Sequence, residues 1–132
     1  MDTLEKVAAW VKSYPLWGST ELAIDNTAPN PGSCGLFPLG EEELSRQEDV
    51  LGNQRIRYRR TFALRRVAQR GEVAARWMLA FGRWARTATP PALGEKTVAK
   101  ATRGRLLTSV ATGIATYDIT ISLEYTEDYH EN

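Results

Sequence analysis

Four stretches of this chain carry a regular alternation of apolar and polar positions, and together they predict most of its elements. Leu4, Val7, Ala8, Val11 and Tyr14 recur at helical steps, so the spacing predicts a first helix, with Asp2 or Thr3 able to cap its start and Pro15 to stop it. A second helical stripe runs through Val73, Trp77, Met78, Phe81 and Trp84, opening after Gly71 and ending before Pro90-Pro91. The other two stretches have a period of two. Ile56, Tyr58, Phe62 and Leu64 share one side of a strand, and Arg55, Arg57, Arg59 and Arg65 share the other. Arg60 falls on the apolar side, which requires that it lie at a rim, form a pair or mark a bulge. Tyr117, Ile119, Ile121, Leu123 and Tyr125 alternate with Asp118, Thr120, Ser122, Glu124 and Thr126, the cleanest strand signal in the chain.

The remaining segments fill in around these. Glu43 to Val50 and Gln54 to Ala68 read as the arms of a β-hairpin, with Gly52-Asn53 suited to a tight type II′ turn. A second antiparallel pair is expected from Lys96 to Ser109 and from Ala115 to Thr126, and a short strand from Thr20 to Asp25. The stretch with Pro29, Pro31, Gly32, Gly35, Pro38 and Gly40 reads as an ordered irregular loop with one brief extended piece at Cys34–Leu39. Residues 128–132 are expected to fray. The order α-β-β-α-β-β plus a short early strand predicts a single α+β domain over residues 1–132. In it an antiparallel sheet of two hairpins carries two packed helices. Trp10 and Trp17, flanking the first helical stripe, are expected in the core or at an interface.

Charge changes the picture more than composition does. The net charge is +1, yet ten arginines and one acid, Glu72, lie between Arg55 and Arg86. The balancing acids sit at the flanks, among them Glu41, Glu42, Glu43, Glu48 and Asp49 on one side and Asp118, Glu124, Glu127 and Asp128 on the other. Such charges either pair within one fold, stand in solvent, or meet complementary charge on a second copy. Arginine outnumbers lysine thirteen to four, a bias that suits bidentate protein contacts. The neutral balance argues against a protein that coats nucleic acid or an anionic membrane. With no apolar leader and no apolar run near about 18 residues, the sequence predicts a protein kept in a cytoplasm or built into a particle assembled there.

Catalytic patterns are missing. The sole histidine is His130, expected to be exposed near the C-terminus, and the sole cysteine is Cys34. No nucleophile elbow, phosphate loop or dinucleotide fingerprint occurs. Glu41-Glu42-Glu43 would splay around a backbone rather than converge on a cation. No metal, cofactor or catalytic residue is therefore expected, and an enzyme is disfavoured. A nucleic-acid partner is weakened by parity, because Tyr58 points away from the arginines.

The order of pieces nevertheless resembles a known family. A proline-ended helix leads into "PGSCGLFPLG", then the alternating strand "RIRYRRTFALRR", an aromatic-rich helix, "KTVAKATRGRLL" and a closing "GIATYDITISLEYTED". This is similar to the tail-terminator-like minor capsid proteins of long-tailed bacteriophages and prophages, some of which are labelled chloramphenicol resistance proteins. The resemblance runs from Leu4 to Tyr125. It implies a virion component that forms a homo-oligomeric ring, commonly of six copies, on the head-proximal end of the tail tube. That ring would stop tube polymerisation and meet a head-side connector or stopper, with a sheath protein as a further candidate partner, and DNA would only pass through the lumen. It carries over no catalytic residue. Joined with the charge pattern, it makes Arg55, Arg57, Arg59 and Arg65 candidates to face Glu41, Glu42, Glu43, Asp118 and Glu124 of a neighbouring subunit. Two other readings stay open: a head-side neck connector, and a nucleic-acid-binding protein using the arginine strand.

Overall fold

A computed structural model describes residues 2–18, 20–27, 32–69, 71–101, 105–109 and 113–129. The chain forms helix α1 (Thr3–Lys12), strands β1 (Leu22–Ile24), β2 (Cys34–Glu48) and β3 (Gln54–Gln69), and helix α2 (Glu72–Thr87). Strands β4 (Glu95–Ala101), β5 (Arg105–Ser109) and β6 (Ile114–Tyr129) follow. Both helices sit against one sheet, so the class is α+β. The Asp2 carboxylate caps α1 by accepting from Glu5 N at 2.8 Å.

The strands lie in the order β1-β2-β3-β6-β4, with β5 also on β6. Strand β6 therefore runs between β3 and β4, antiparallel to both. Helix α2 carries the chain across it, a split βαβ arrangement. This buries β6 on both edges, which explains why its apolar row reads so cleanly. β4 and β5 lie in succession along the same side of β6, where the sequence predicts one long arm; residues 102–104 lie outside the described residues. β1 pairs parallel to β2 over Cys34–Leu36, making the sheet mixed rather than purely antiparallel.

Several expectations need correction. The Pro/Gly stretch is no loop from residue 34 onward: β2 begins at Cys34 and runs unbroken to Glu48, with irregularities at Pro38/Gly40 and Glu43/Ser45. Those two bulges let one strand absorb Pro38 and the glycines, and they scramble the alternation that would have revealed it. The hairpin turn is not a two-residue turn on Gly52-Asn53. Asp49 N–H donates to Asn53 O and Gly52 N–H to Asp49 O, leaving three residues at the tip with Gly52 last, at φ +86°. Asp128 and Tyr129 do not fray; they pair with Arg55 and Gln54. His130 and the two residues after it lie outside the described residues.

The core joins α1, α2 and one face of the sheet. Val7, Val11, Leu36, Phe62, Leu64, Met78, Phe81, Ile119, Ile121 and Leu123 are buried together. Tyr14 meets Phe81 edge-on at 5.2 Å, and Trp10 stacks on Trp84 at 5.0 Å. Trp10 and Trp17 satisfy their indole N–H groups on Thr89 O and Thr20 O, so both are core aromatics. Val73 belongs to the outside instead, 85% exposed. Helix α2 is rotated so that Ala74, Gly82 and Ala85 share the buried stripe with Met78 and Phe81, and small residues there let the helix lie close.

Candidate functional site: a charge ladder on the open face of the sheet

Strand β3 has two faces, and the arginines divide between them as parity requires. On the face away from the helices, the register places Glu42, Arg59 and Glu124 in one row across β2, β3 and β6, and Gln47, Arg55 and Asp128 in another. Arg59 lies 3.5 Å from both Glu42 and Glu124, and Lys100 of β4 reaches Glu124 at 2.9 Å. Arg55 pairs with Glu95 and, at 3.7 Å, with Asp128. Arg57 donates to Thr126 Oγ1 at 3.0 Å and to Lys96 O at 3.3 Å. Arg65 stands 3.8 Å from Asp118 and lays its guanidinium over the Phe37 ring at 4.5 Å.

The helix-side face holds the rest. Arg60, the residue that broke the alternation, bonds the Tyr125 hydroxyl at 2.8 Å and Glu41 at 2.7 Å, so it is a paired cation. Glu43 binds Arg46 through both the Nε and an Nη donor. Arg66 covers the Trp77 ring at 4.4 Å and donates to Cys34 Sγ at 3.2 Å. Burial pushes the Cys34 thiol up, with Arg66 opposing; Cys34 is a packed, protonated side chain.

All nine sequence-derived interface candidates thus have partners inside the same chain. The structure brings Arg59 together with Glu42 and Glu124, Arg65 with Asp118, and Glu41 with Arg60. Neither Arg55 nor Arg57 forms an ion pair with a candidate acid, although Arg57 acts on Glu124 through its charge. Sequence reasoning missed Glu95 and Lys100 because their contribution depends on β4 lying beside β6. Arginines alternating with acids across adjacent strands neutralise one another locally, so among the described residues the face offers no continuous basic track for phosphates. Arg76 and Glu72 form a separate pair one helical turn apart on α2.

The half-exposed pairs contribute about 0–1 kcal/mol each. The buried acids are different: Asp118 is 3% exposed and Glu124 8%, and an acid this enclosed needs its cations. Substituting Arg59→Glu would place a second carboxylate beside Glu124. We expect a loss of about 1–3 kcal/mol, read as a lower urea midpoint, with the monomer itself destabilised. The Lys100 ammonium, ahead of the opposing effect of burial, holds the Glu124 carboxyl below its ordinary range, helped by Arg59 and Arg57. The sign follows: the ionised form is favoured by folding, so its contribution is complete above the ordinary glutamate value of about 4.3. It is lost as pH falls through the lower folded value. Glu124→Gln should therefore flatten the acid limb of a urea-midpoint titration below about pH 4.3, and an unchanged limb would show that other carboxylates govern it.

Among the described residues no group of three side chains that could hold a metal gathers, and no helix is long and apolar enough to cross a membrane. No family model matches this chain, and no curated protein matches it.

Proposed function

We propose that this chain is a structural virion protein of the tail-terminator type. It closes as a ring of copies on the head-proximal end of a phage tail tube, stops tube growth and presents a surface to the head-side connector. The observation that supports this reading is the shape of its sheet. At one end of the sheet β2 and β3 run on as a long tongue, from Glu41 to Glu48 and from Gln54 to Arg60, backed by β6 from Leu123 to Tyr129, while β4 reaches only as far as Thr126. No residue of the tongue's β2 segment joins the core. Eight residues of strand extend about 25 Å, a projection whose natural use is contact with another molecule. The resemblance of the sequence to the tail-terminator-like proteins favours a second copy, then the tube, as that molecule.

The test is direct. Purified protein should show a discrete oligomer by light scattering, and added to polymerising tail tube protein it should cap the tubes and fix their length. A ring that leaves tube growth untouched would move the protein to the head side of the neck. A chain that stays monomeric with and without tubes would defeat the reading.

A further inference from the structure

The charge ladder spends its arginines on acids of the same chain, so a contact between copies has to come from other surfaces. Two surfaces remain that match each other. The first is the tip of the tongue. Val50 and Leu51 are 100% and 75% exposed, side by side in a turn where polar residues ordinarily sit. The turn is fixed: one Asp49 carboxylate oxygen accepts from Leu51 N at 2.9 Å and from Asn53 N at 3.0 Å, and the other accepts from Asn53 Nδ2 at 3.1 Å. Two apolar side chains are thereby held out on a stiff support, which lowers the ordering cost of seating them in a partner. Glu48, Asp49 and Glu127 leave this end of the sheet acidic once Arg46 has paired with Glu43 and Arg55 with Asp128.

The second surface is the outer side of α2, opposite its buried stripe. Leu79 is exposed at its centre, and Arg76, Arg83 and Arg86 surround it at steps of three, four and seven residues. Glu72 is the single acid on the helix. Arg76 is taken up by Glu72, Arg86 uses one nitrogen on Ala101 O, and Arg83 forms no ion pair among the described residues. An apolar centre ringed by cations is the complement of an apolar tip ringed by acids.

We infer that the Val50–Leu51 tip of one copy seats against Leu79 on α2 of the next, with Glu48, Asp49 and Glu127 facing Arg83 and Arg86. This rests on the ring reading above and specifies its contact. Tip and helix are different patches of one chain, so the contact is heterologous and propagates from copy to copy until it closes. The apolar centre carries the affinity, while the charge sets approach and register.

The experiment uses the full chain with single introduced cysteines, readable because Cys34 is buried. Leu51→Cys and Leu79→Cys are mixed under mild oxidation, beside each variant alone and the double variant. The mixture is expected to give a covalent dimer and the double variant a ladder of oligomers, with neither single variant cross-linking. Val50→Ser with Leu51→Ser should weaken self-association by about tenfold or more with an unchanged circular-dichroism spectrum, since both side chains lie outside the core. An oligomeric parent chain that gives no 51–79 cross-link overturns this contact and leaves the ring standing. Cross-linking by Leu51→Cys alone overturns it in favour of tip meeting tip. A parent chain that is monomeric with and without tubes overturns both.

Discussion

Phe81→Ala is expected to cost about 3–5 kcal/mol, the largest single loss in the molecule. Phe81 is fully buried on α2 and touches three rings at once: Tyr14 edge-on at 5.2 Å, Trp77 stacked at 5.8 Å and Trp84 at 5.6 Å. Tyr14 follows α1, so Phe81 is where the two helices grip each other. Its removal opens a cavity whose walls are large rings, and rings cannot collapse into the space as flexible side chains would. Urea unfolding should show the midpoint falling with an unchanged slope. A loss under about 1 kcal/mol would mean that the cluster repacks and that the helices are held chiefly by the sheet. Phe81→Leu, which keeps most of the volume, should recover more than half of the loss.

Gly35→Ala is expected to cost about 2–3 kcal/mol, for a different reason. A methyl at this position would lie 2.1 Å from Asn26 O, 2.6 Å from Thr27 Cγ2 and 2.9 Å from the Phe37 ring. The nearest of these is backbone, which cannot rotate away. Gly35 stands opposite Ala23 of β1, and the chain leaving β1 passes directly across it, with Asp25 N–H bonded to Leu36 O at 2.9 Å. The added methyl must push this crossing off the sheet. Hydrogen exchange should therefore rise at residues 22–27 while the β3–β6 ladder keeps its protection. Equal exchange in both proteins would show that the crossing segment already stands clear of β2. Gly94 is a milder case of the same kind, close to Thr126 O and Tyr125.

Much of this architecture was readable from the residues. The stripe of α1, the phase of β3 and β6 as far as Thr126 followed from periodicity, because in each the buried side takes nearly every apolar residue. Where the pattern failed, a local departure explains it. β2 was hidden because its two bulges change the facing of its side chains twice in fifteen residues. Gly35 looked like loop punctuation because a close backbone approach leaves no mark except a missing side chain. Val73 fits the apolar period yet lies outside, because the small residues Ala74, Gly82 and Ala85 decide which way α2 faces.

The arginines show the division most plainly. Sequence alone determined that Arg55, Arg57, Arg59 and Arg65 lie together on one side of a strand, since alternation along an extended backbone admits nothing else. It also marked Arg60 as the exception that had to sit at a rim, form a pair or mark a bulge, and the structure decided for the pair. Which charges those arginines meet was decided only by the strand order: with β6 laid between β3 and β4, Asp118, Glu124 and Asp128 come beside the arginine row, and Glu95 and Lys100 follow from the far strand. Alternation is a property of each strand by itself, but pairing depends on which strands are neighbours, and that is fixed by how the helices and the sheet close over a common core.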